Sequence, residues 1–288
     1  MNLRDVMSER ALAYRSVGPR AVAGTLARYV LAHVAPLSPA RPAGGRVTIA
    51  LTTLPSRIGA LRPVLSSLQR REVPARAIVL AALPRRSTRE RCDYPLPAAL
   101  RDHPVTVLRC ERDWGPATKL IPALGSGLGP DDPVVVVDDD HVYPRDLVAH
   151  LPRWHQGYPD AALGYRGWDV PASGRWRDTR TNATGLRESR PVDVLTGTWG
   201  MLVQPRFFDA SFADYSRADG ASFFVDDIWT SGHLARRGVE RRVVPASRPP
   251  VSPQACRRNA LSCGENRDGR HNDAILGAVA TAWGRPGC

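Results

Sequence analysis

Lysine is almost absent from this sequence. Of the 40 lysines and arginines among its 288 residues, only Lys119 is a lysine. Long apolar runs are missing too: residues 21–38 are apolar in parts but carry Arg28 and His33, which makes them too interrupted to span a bilayer. No secretory signal is visible at the start. Five scattered cysteines without a CxxC pair exclude a zinc ribbon and a thioredoxin-like motif. We therefore expect a cytoplasmic protein.

The charge is strongly positive, with a formal net charge of +12 at pH 7. Such a surplus favours an anionic partner, which could be nucleic acid, an acidic membrane face or a phosphorylated substrate. Because the arginines are spread along the chain without a basic block, a genomic bias towards arginine explains the charge equally well. No groove pattern of basic and aromatic residues is present, so we do not expect nucleic-acid binding. Peripheral association with the inner face of the cell membrane stays open.

Strands alternate with helices through the middle of the sequence. Continuously apolar, β-branched runs predict strands at residues 47–53, 77–83, 105–108 and 134–137. Runs without polar alternation are typical of strands that are covered on both faces. The pattern predicts an α/β fold with a mostly parallel central sheet flanked by helices. Residues 1–45 are predicted to form an N-terminal helical arm and linker.

The sequence after residue 144 is less regular. A short strand is predicted over AALGYRG, residues 161–167, and a polar loop over residues 169–193. A helix is predicted over residues 228–238, ending at Gly238.

Three aspartates, Asp138 to Asp140, directly follow the valine run. In open α/β sheets, ligands bind beyond the carboxyl ends of the strands. Three adjacent carboxylates repel one another unless a cation neutralises them, and a hard divalent ion completed by phosphate oxygens does so. Alternation along an extended chain places Asp138 and Asp140 on one side. The run predicts a metal site, and the alternative is a solvated acidic turn.

Lys119 belongs to the segment before that strand, after the loop-forming residues Trp114, Gly115 and Pro116. A compact ammonium approaches a phosphate as a point charge, whereas a guanidinium imposes a planar geometry. We therefore interpret Lys119 as a phosphate-facing cation. The alternative is an ordinary solvated lysine that stands here by chance.

Two further segments carry candidate chemistry. Asp226 and Asp227 precede a predicted helix, so one could cap it while the other acts as a general base. The stretch LTGTWGML, residues 195–202, surrounds Trp199 with small residues, as expected where a substrate approaches the backbone and stacks on a ring. A buried core tryptophan is the alternative.

Five segments occur in the order found in a known family. They are LTTLPSRI (51–58), KLIPAL (119–124), DDDHVYP (138–144), LTGTWGMLVQP (195–205) and DDIW (226–229). With them, residues 46–250 resemble the bacterial family 2-like glycosyltransferases of GT-A fold, in a subgroup with LTSYPxRI, KLIPAL, DDDxxYP, LTGxGG and DDIW motifs. The resemblance implies a Rossmann-like GT-A domain, followed by a tail, residues 251–288, that packs on or covers the active site.

The resemblance also implies an activity. Such an enzyme moves a sugar, of hexosyl type, from a nucleotide-sugar donor to a hydroxyl of a glycan, glycolipid or polysaccharide, with Mn²⁺ or Mg²⁺ and with inversion. On matching positions, Asp227 is the implied base, with Asp226 beside it, and the implied metal ligands are Asp140, Asp138 and His271. The implied donor pocket comprises Thr52, Pro55, Arg57, Lys119, Asp138 and Asp139. The implied sugar or acceptor loop comprises Thr196, Gly197, Trp199 and Gly200.

Two other classes remain as alternatives. One is a catalytically inactive protein that binds a nucleotide sugar or a membrane surface. The other is a nucleotidyltransferase on a related fold, although LTTLPSRIG lacks the glycine-rich phosphate loop expected of that class. The sugar, the nucleotide base and the acceptor stay open at this level.

Overall fold

The structure is a computed structural model. It describes residues 46–69, 76–95, 105–176, 179–214, 220–246, 248–252 and 269–279, together with residues 27, 30 and 100. Apart from residues 27 and 30, the helical arm and linker predicted over residues 1–45 lie outside the described residues. Much of the predicted tail, including residues 253–268, lies outside them as well.

The described residues form eleven strands and five α-helices. The strands are β1 (Arg46–Leu51), β2 (Arg76–Pro84), β3 (Val105–Cys110), β4 (Val134–Val136), β5 (Ala161–Gly164), β6 (Arg166–Trp168), β7 (Arg180–Asn182), β8 (Arg190–Pro191), β9 (Val194–Leu195), β10 (Met201–Val203) and β11 (Glu240–Val243). The helices are α1 (Arg62–Gln69), α2 (Ile121–Leu124), α3 (Leu147–Gly157), α4 (Asp226–Arg236) and α5 (Arg270–Val279). Short 3-10 helices include Pro55–Ala60, Gly115–Lys119 and Ala221–Phe224.

An eight-stranded sheet forms the centre, in the order β3-β2-β1-β4-β10-β5-β11-β8. Strands β3, β2, β1 and β4 are parallel to one another, and β5 is parallel to β11. Strand β10 is antiparallel to β4 and β5, and β8 is antiparallel to β11. The predicted α/β fold with a mostly parallel central sheet is therefore confirmed.

Strand β4 lies inside the sheet, between β1 and β10. Its valines Val134, Val135 and Val136, and Val137 after them, are fully buried. Each buried valine stabilises the fold by about 1.5–3 kcal/mol relative to an exposed one. The segment that follows, Asp138 to Asp140, is therefore anchored at its start by the buried strand β4.

The region after residue 144 contains more strand than predicted. A second, antiparallel sheet has the order β7-β6-β9, and β7 and β8 lie within the predicted polar loop, residues 169–193. That part of the prediction was wrong because strands of two or three polar residues carry no hydrophobic periodicity. Strand β9 of this sheet leads directly into Thr196 and the following loop.

Helix α4 begins at Asp226, two residues before the predicted start. Its capping position is Val225, so neither aspartate is the N-cap; both lie in the first turn. The helix packs against α5, whose Ile275, Leu276 and Val279 are buried in the core. Within the described ranges, no helix has the length and apolar character needed to cross a membrane.

Candidate active site

The aspartates after β4 meet a cation from the loop after β1. Arg57 donates through Nη1 to Oδ1 of Asp139, at 2.8 Å, and through Nη2 to Oδ2 of Asp140, at 3.2 Å. The hydroxyl of Thr53 donates to Oδ2 of Asp139, at 2.6 Å. Burial raises the pKa of Asp139 to about 6 despite the charge of Arg57. Parallel strands β1 and β4 thus bring Arg57 to the carboxyl end of the sheet.

His141 joins this group, although the sequence analysis did not identify it. Its Nδ1 lies 2.6 Å from Oδ1 of Asp140. Burial would raise the pKa of Asp140, but the hydrogen bond and charge of His141 and the charge of Arg57 lower it to about 2. Asp138, Asp140 and His141 each offer a ligand atom, and these atoms lie within 4.8 Å of one another. The only sequence signal for His141 was its place directly after the aspartates.

Backbone contacts fix the first aspartate of the run. The N–H of Asp138 donates to the hydroxyl of Tyr143, at 2.7 Å, and that hydroxyl donates to the carbonyl oxygen of Asp138, at 3.2 Å. Tyr143 is buried, and its N–H in turn donates to the hydroxyl of Ser67 on α1. These hydrogen bonds fix the backbone of Asp138 where the chain leaves β4.

Lys119 lies between the two groups of aspartates that the sequence singled out, the run Asp138 to Asp140 and the pair Asp226 and Asp227. Its Nζ is 2.8 Å from Oδ1 of Asp138 and 2.9 Å from Oδ2 of Asp226, and the residue is 6% exposed. Burial would lower the pKa of the ammonium, but the carboxylates of Asp138, Asp226 and Asp227 outweigh burial and raise it well above its usual value. Lys119 is thus a buried, charged group that joins β4 to α4.

The turn that carries Lys119 is built by its own sequence. The carboxylate of Asp113 accepts a hydrogen bond from the N–H of Gly115, at 2.8 Å. Gly115 has a φ of 58°, and a Cβ there would lie 2.1 Å from the carbonyl oxygen of Phe223. Glycine is required both for this conformation and for this close approach. The contact with Phe223 places Lys119 beside the first turn of α4.

Asp227 faces the loop that follows β9. Its Oδ1 accepts a hydrogen bond from the N–H of Gly197, at 2.8 Å. Burial and the neighbouring charge of Asp226 raise the pKa of Asp227 to about 7, although Lys119 and the Gly197 N–H act in the opposite direction. A carboxyl group with such a pKa can gain or lose a proton near neutral pH.

The loop from Thr196 to Gly200 bends sharply over the site. Trp199 has a φ of 78°, and this left-handed conformation costs on the order of 1–3 kcal/mol in a bulky residue. Its half-buried ring packs on the core and lies 5.9 Å from the guanidinium carbon of Arg166. The hydroxyl of Thr198, a residue that the sequence analysis did not identify, donates to Oδ2 of Asp138, at 3.0 Å. The hydroxyl of Thr196 donates to the carbonyl oxygen of Arg166, at 3.3 Å.

Three residues of the implied site lie apart from these contacts. Thr52 donates through its hydroxyl to the carbonyl oxygen of Ala82, at 2.8 Å, which ties the end of β1 to β2. Pro55 begins the 3-10 helix that carries Arg57. His271 lies on α5, with its ring 5.2 Å from that of Phe224. Over the described ranges, the cluster suited to a metal contains His141 and not His271.

The solved structures to which the chain is similar include two of one protein. No protein-family model matches the chain, and no curated protein does. The chain is similar to the crystal structure of S. aureus TarS, residues 1–349, with 10% identity and a TM-score of 0.44, over 82% of this chain and 65% of that one. It is also similar to that TarS fragment in complex with UDP-GlcNAc, with 12% identity and a TM-score of 0.48, over 82% and 66% of the two chains. The chain thus spans just under two thirds of the TarS fragment, and a likeness at this level assigns no activity.

Proposed function

We propose that this chain is a glycosyltransferase that moves a sugar from a nucleotide-sugar donor to an acceptor hydroxyl. One observation supports this function most: Lys119 contacts both Asp138, in a carboxylate cluster suited to a divalent ion, and Asp226, whose neighbour Asp227 has a pKa raised to about 7. A transferase of this kind needs cationic charge at the departing diphosphate and a base at the acceptor. The five motifs that resemble the family supply the residues of both.

The carboxylate cluster fits a divalent metal in ligand type and charge. In the described part of the chain, the salt bridges of Asp138, Asp139, Asp140 and Asp226 come from Lys119, Arg57 and His141. The site keeps an excess of carboxylate charge, which suits Mn²⁺ or Mg²⁺. Asp138, Asp140 and His141 would hold the ion, which when bound would neutralise the diphosphate leaving group.

Asp227 is the proposed base. Its pKa of about 7 leaves a carboxylate that can accept the proton of an acceptor hydroxyl near neutral pH. The Gly197 N–H orients this carboxylate from the loop that also carries Trp199, on whose ring the acceptor sugar is proposed to stack. A single carboxylate on the face opposite the leaving group is the arrangement of an inverting transfer.

Arg57 prepares the donor side of the site. It pairs with Asp139 and Asp140 and so holds their side chains in one orientation before a ligand arrives. Thr52 and Pro55 flank the same loop, where the nucleotide is proposed to bind.

We also propose a peripheral location at an anionic membrane face, which the net charge of +12 supports. Vesicles of phosphatidylglycerol, but not of phosphatidylcholine alone, would then retain the protein at low salt.

A thermal-shift panel of nucleoside diphosphates and nucleotide sugars, with and without Mn²⁺, tests the function. We expect one nucleotide to raise Tm, and to do so more strongly with Mn²⁺. Asp140→Asn should remove the Mn²⁺ dependence, while the exposed control Asp160→Asn should keep it. Stabilisation of the unsubstituted protein by no member of the panel would contradict a transferase function.

A further inference from the structure

The ammonium of Lys119 packs directly against Gly197, a residue without a side chain. A Cβ at Gly197 would lie 2.9 Å from Nζ and 3.2 Å from Cε of Lys119, and 3.6 Å from Oδ1 of Asp227. The first distance is too short for a real contact, the second is tighter than most real contacts, and the third is an ordinary one. Gly197 does not need its conformational freedom here, because its φ lies outside the left-handed region. What the position requires is space for the ammonium.

The donors of that ammonium are largely occupied. A lysine ammonium has three N–H donors, and Nζ of Lys119 has two carboxylate partners, Asp138 at 2.8 Å and Asp226 at 2.9 Å. The second oxygen of Asp138 accepts from Thr198, so both of its carboxylate oxygens have partners within the protein. Such an ammonium, almost enclosed, is placed to hold carboxylates more than to meet a phosphate from solvent.

We propose that Lys119 is a positioning residue, which holds the carboxylates of Asp138 and Asp226 at one point and thereby sets the distance between the metal-side cluster and Asp227. This inference replaces the phosphate-facing role expected from the sequence, and its catalytic part rests on the proposed function. Its structural part, the coupling between Lys119 and Asp226, does not depend on any activity.

The geometry also explains why this cation is a lysine in an arginine-rich chain. An ammonium can bond to two carboxylates that approach from different directions, whereas a guanidinium presents its donors in one plane. Arg at this position would also need room for a larger head, whereas the lysine ammonium already lies 2.9 Å from where a Cβ of Gly197 would stand. Lys119→Arg should therefore fail to restore what Lys119→Met loses.

A double-mutant cycle of Lys119→Met and Asp226→Asn tests the structural part, with urea unfolding as the measurement. If the ammonium holds Asp226, the effect of Lys119→Met on the unfolding equilibrium should be at least about tenfold smaller in the Asp226→Asn background. Additive effects of the two substitutions would overturn the proposal.

A second cycle tests the enclosure of the ammonium, and its glycine variants can be compared in the unsubstituted background even if Lys119→Met does not fold. Gly197→Ala retains every charge, and it should destabilise the protein when Lys119 is present but have little effect in the Lys119→Ala background. Gly157→Ala, at an exposed glycine with nothing within 4 Å of its Cβ, is the matched control and should have no such dependence. An equal effect of Gly197→Ala in both backgrounds would overturn the enclosed position of the ammonium.

Steady-state kinetics test the catalytic part, with the nucleotide sugar that stabilises the protein most in the panel above. Lys119→Met should lower kcat by at least about tenfold and leave the donor KM within about threefold. A raised donor KM with unchanged kcat would show a phosphate-binding lysine and overturn the proposal. Absence of nucleotide binding by the unsubstituted protein would overturn the proposed function and leave the coupling of Lys119 to Asp226 standing.

Discussion

The carboxylate of Asp227 and the backbone N–H of Gly197 are joined by a hydrogen bond of 2.8 Å. This bond connects the first turn of α4 with the loop after β9, which come from different parts of the chain. Because the donor is a main-chain group, the orientation of Asp227 depends on the path of the loop and not on a neighbouring side chain. The proposed base and the proposed acceptor loop therefore form one unit.

Asp227→Asn should lower kcat by about 10²–10⁴-fold, because the amide cannot accept the acceptor proton. Donor affinity should stay within a few-fold of that of the unsubstituted protein. In the unsubstituted protein, kcat/KM should rise with pH through about 7, where Asp227 loses its proton. Transfer rates close to normal in the variant would rule out Asp227 as the base.

Asp227→Asn should stabilise the folded protein at higher pH, although it lowers kcat. Since the pKa of Asp227 is raised from 3.8 to about 7 on folding, the folded protein binds more protons than the unfolded chain between these values. Stability is therefore lost as the pH rises through this window. The Tm of Asp227→Asn relative to that of the unsubstituted protein should therefore be higher at pH 8 than at pH 5, as measured by calorimetry of both proteins at both values.

The contribution of each metal ligand can be measured by Mn²⁺ titration with electron paramagnetic resonance, in the absence of a nucleotide-sugar donor. Asp140→Asn and His141→Gln should each weaken Mn²⁺ binding by about tenfold or more, because both residues offer ligand atoms to the same cluster. His271→Gln tests the ligand set implied by the family resemblance, which contains His271, against the observed cluster, which contains His141. Loss of Mn²⁺ binding in His271→Gln together with normal binding in His141→Gln would favour the implied set.

His233 should make the protein sensitive to acid. Its ring packs against Phe208 and Phe212, and neither ring nitrogen has a hydrogen-bond partner among the described residues. Burial lowers its pKa from 6.5 to about 4, although Asp209, 3.9 Å away, acts in the opposite direction. Because the unfolded chain binds the proton first, stability should fall by about 2–3 kcal/mol as the pH falls from 7 to 4.

Urea unfolding of His233→Leu across this pH range checks the effect. The variant should lose less stability between pH 7 and pH 4 than the unsubstituted protein, whatever packing cost it shows at pH 7. Equal slopes for the two proteins would mean that another group controls the response to acid.

Gly232→Ala should destabilise the contact between α4 and α5. A Cβ at Gly232 would lie 2.8 Å from Cβ of Val279, so the helices would have to separate. Overpacking of this kind costs about 1–3 kcal/mol, which exceeds the gain of about 1 kcal/mol from replacing a helical glycine. The matched control is Gly277→Ala on α5, where nothing lies within 4 Å and stability should rise. A higher Tm for both variants would contradict the packing of α5 described above.

The sequence was most informative where its signals were strongest and most local. The valine run before Asp138 predicted a buried strand with a carboxylate cluster at its end, because a continuous run of β-branched apolar residues favours a strand covered on both faces. The arrangement of Lys119 between Asp138 and Asp226 could not be predicted in this way. It depends on a turn at Gly115 that packs against Phe223, more than 100 residues away in sequence.

Other misses have similar physical origins. His141 follows the aspartates directly, but which side of the chain it faces depends on where β4 ends. Strands β7 and β8 are too short and polar to leave a periodic pattern. Thr198 contacts Asp138 because β10 pairs with β4 in antiparallel register, a pairing that the sequence alone does not specify.

The single lysine has a practical consequence. Because Lys119 is the only lysine in the chain, lysine labelled with ¹⁵N or ¹³C would give a single set of side-chain signals, all from the proposed active site. Amine-reactive reagents would reach the buried ammonium of Lys119 poorly. The protein could therefore carry an isotopic reporter at its centre, without any substitution.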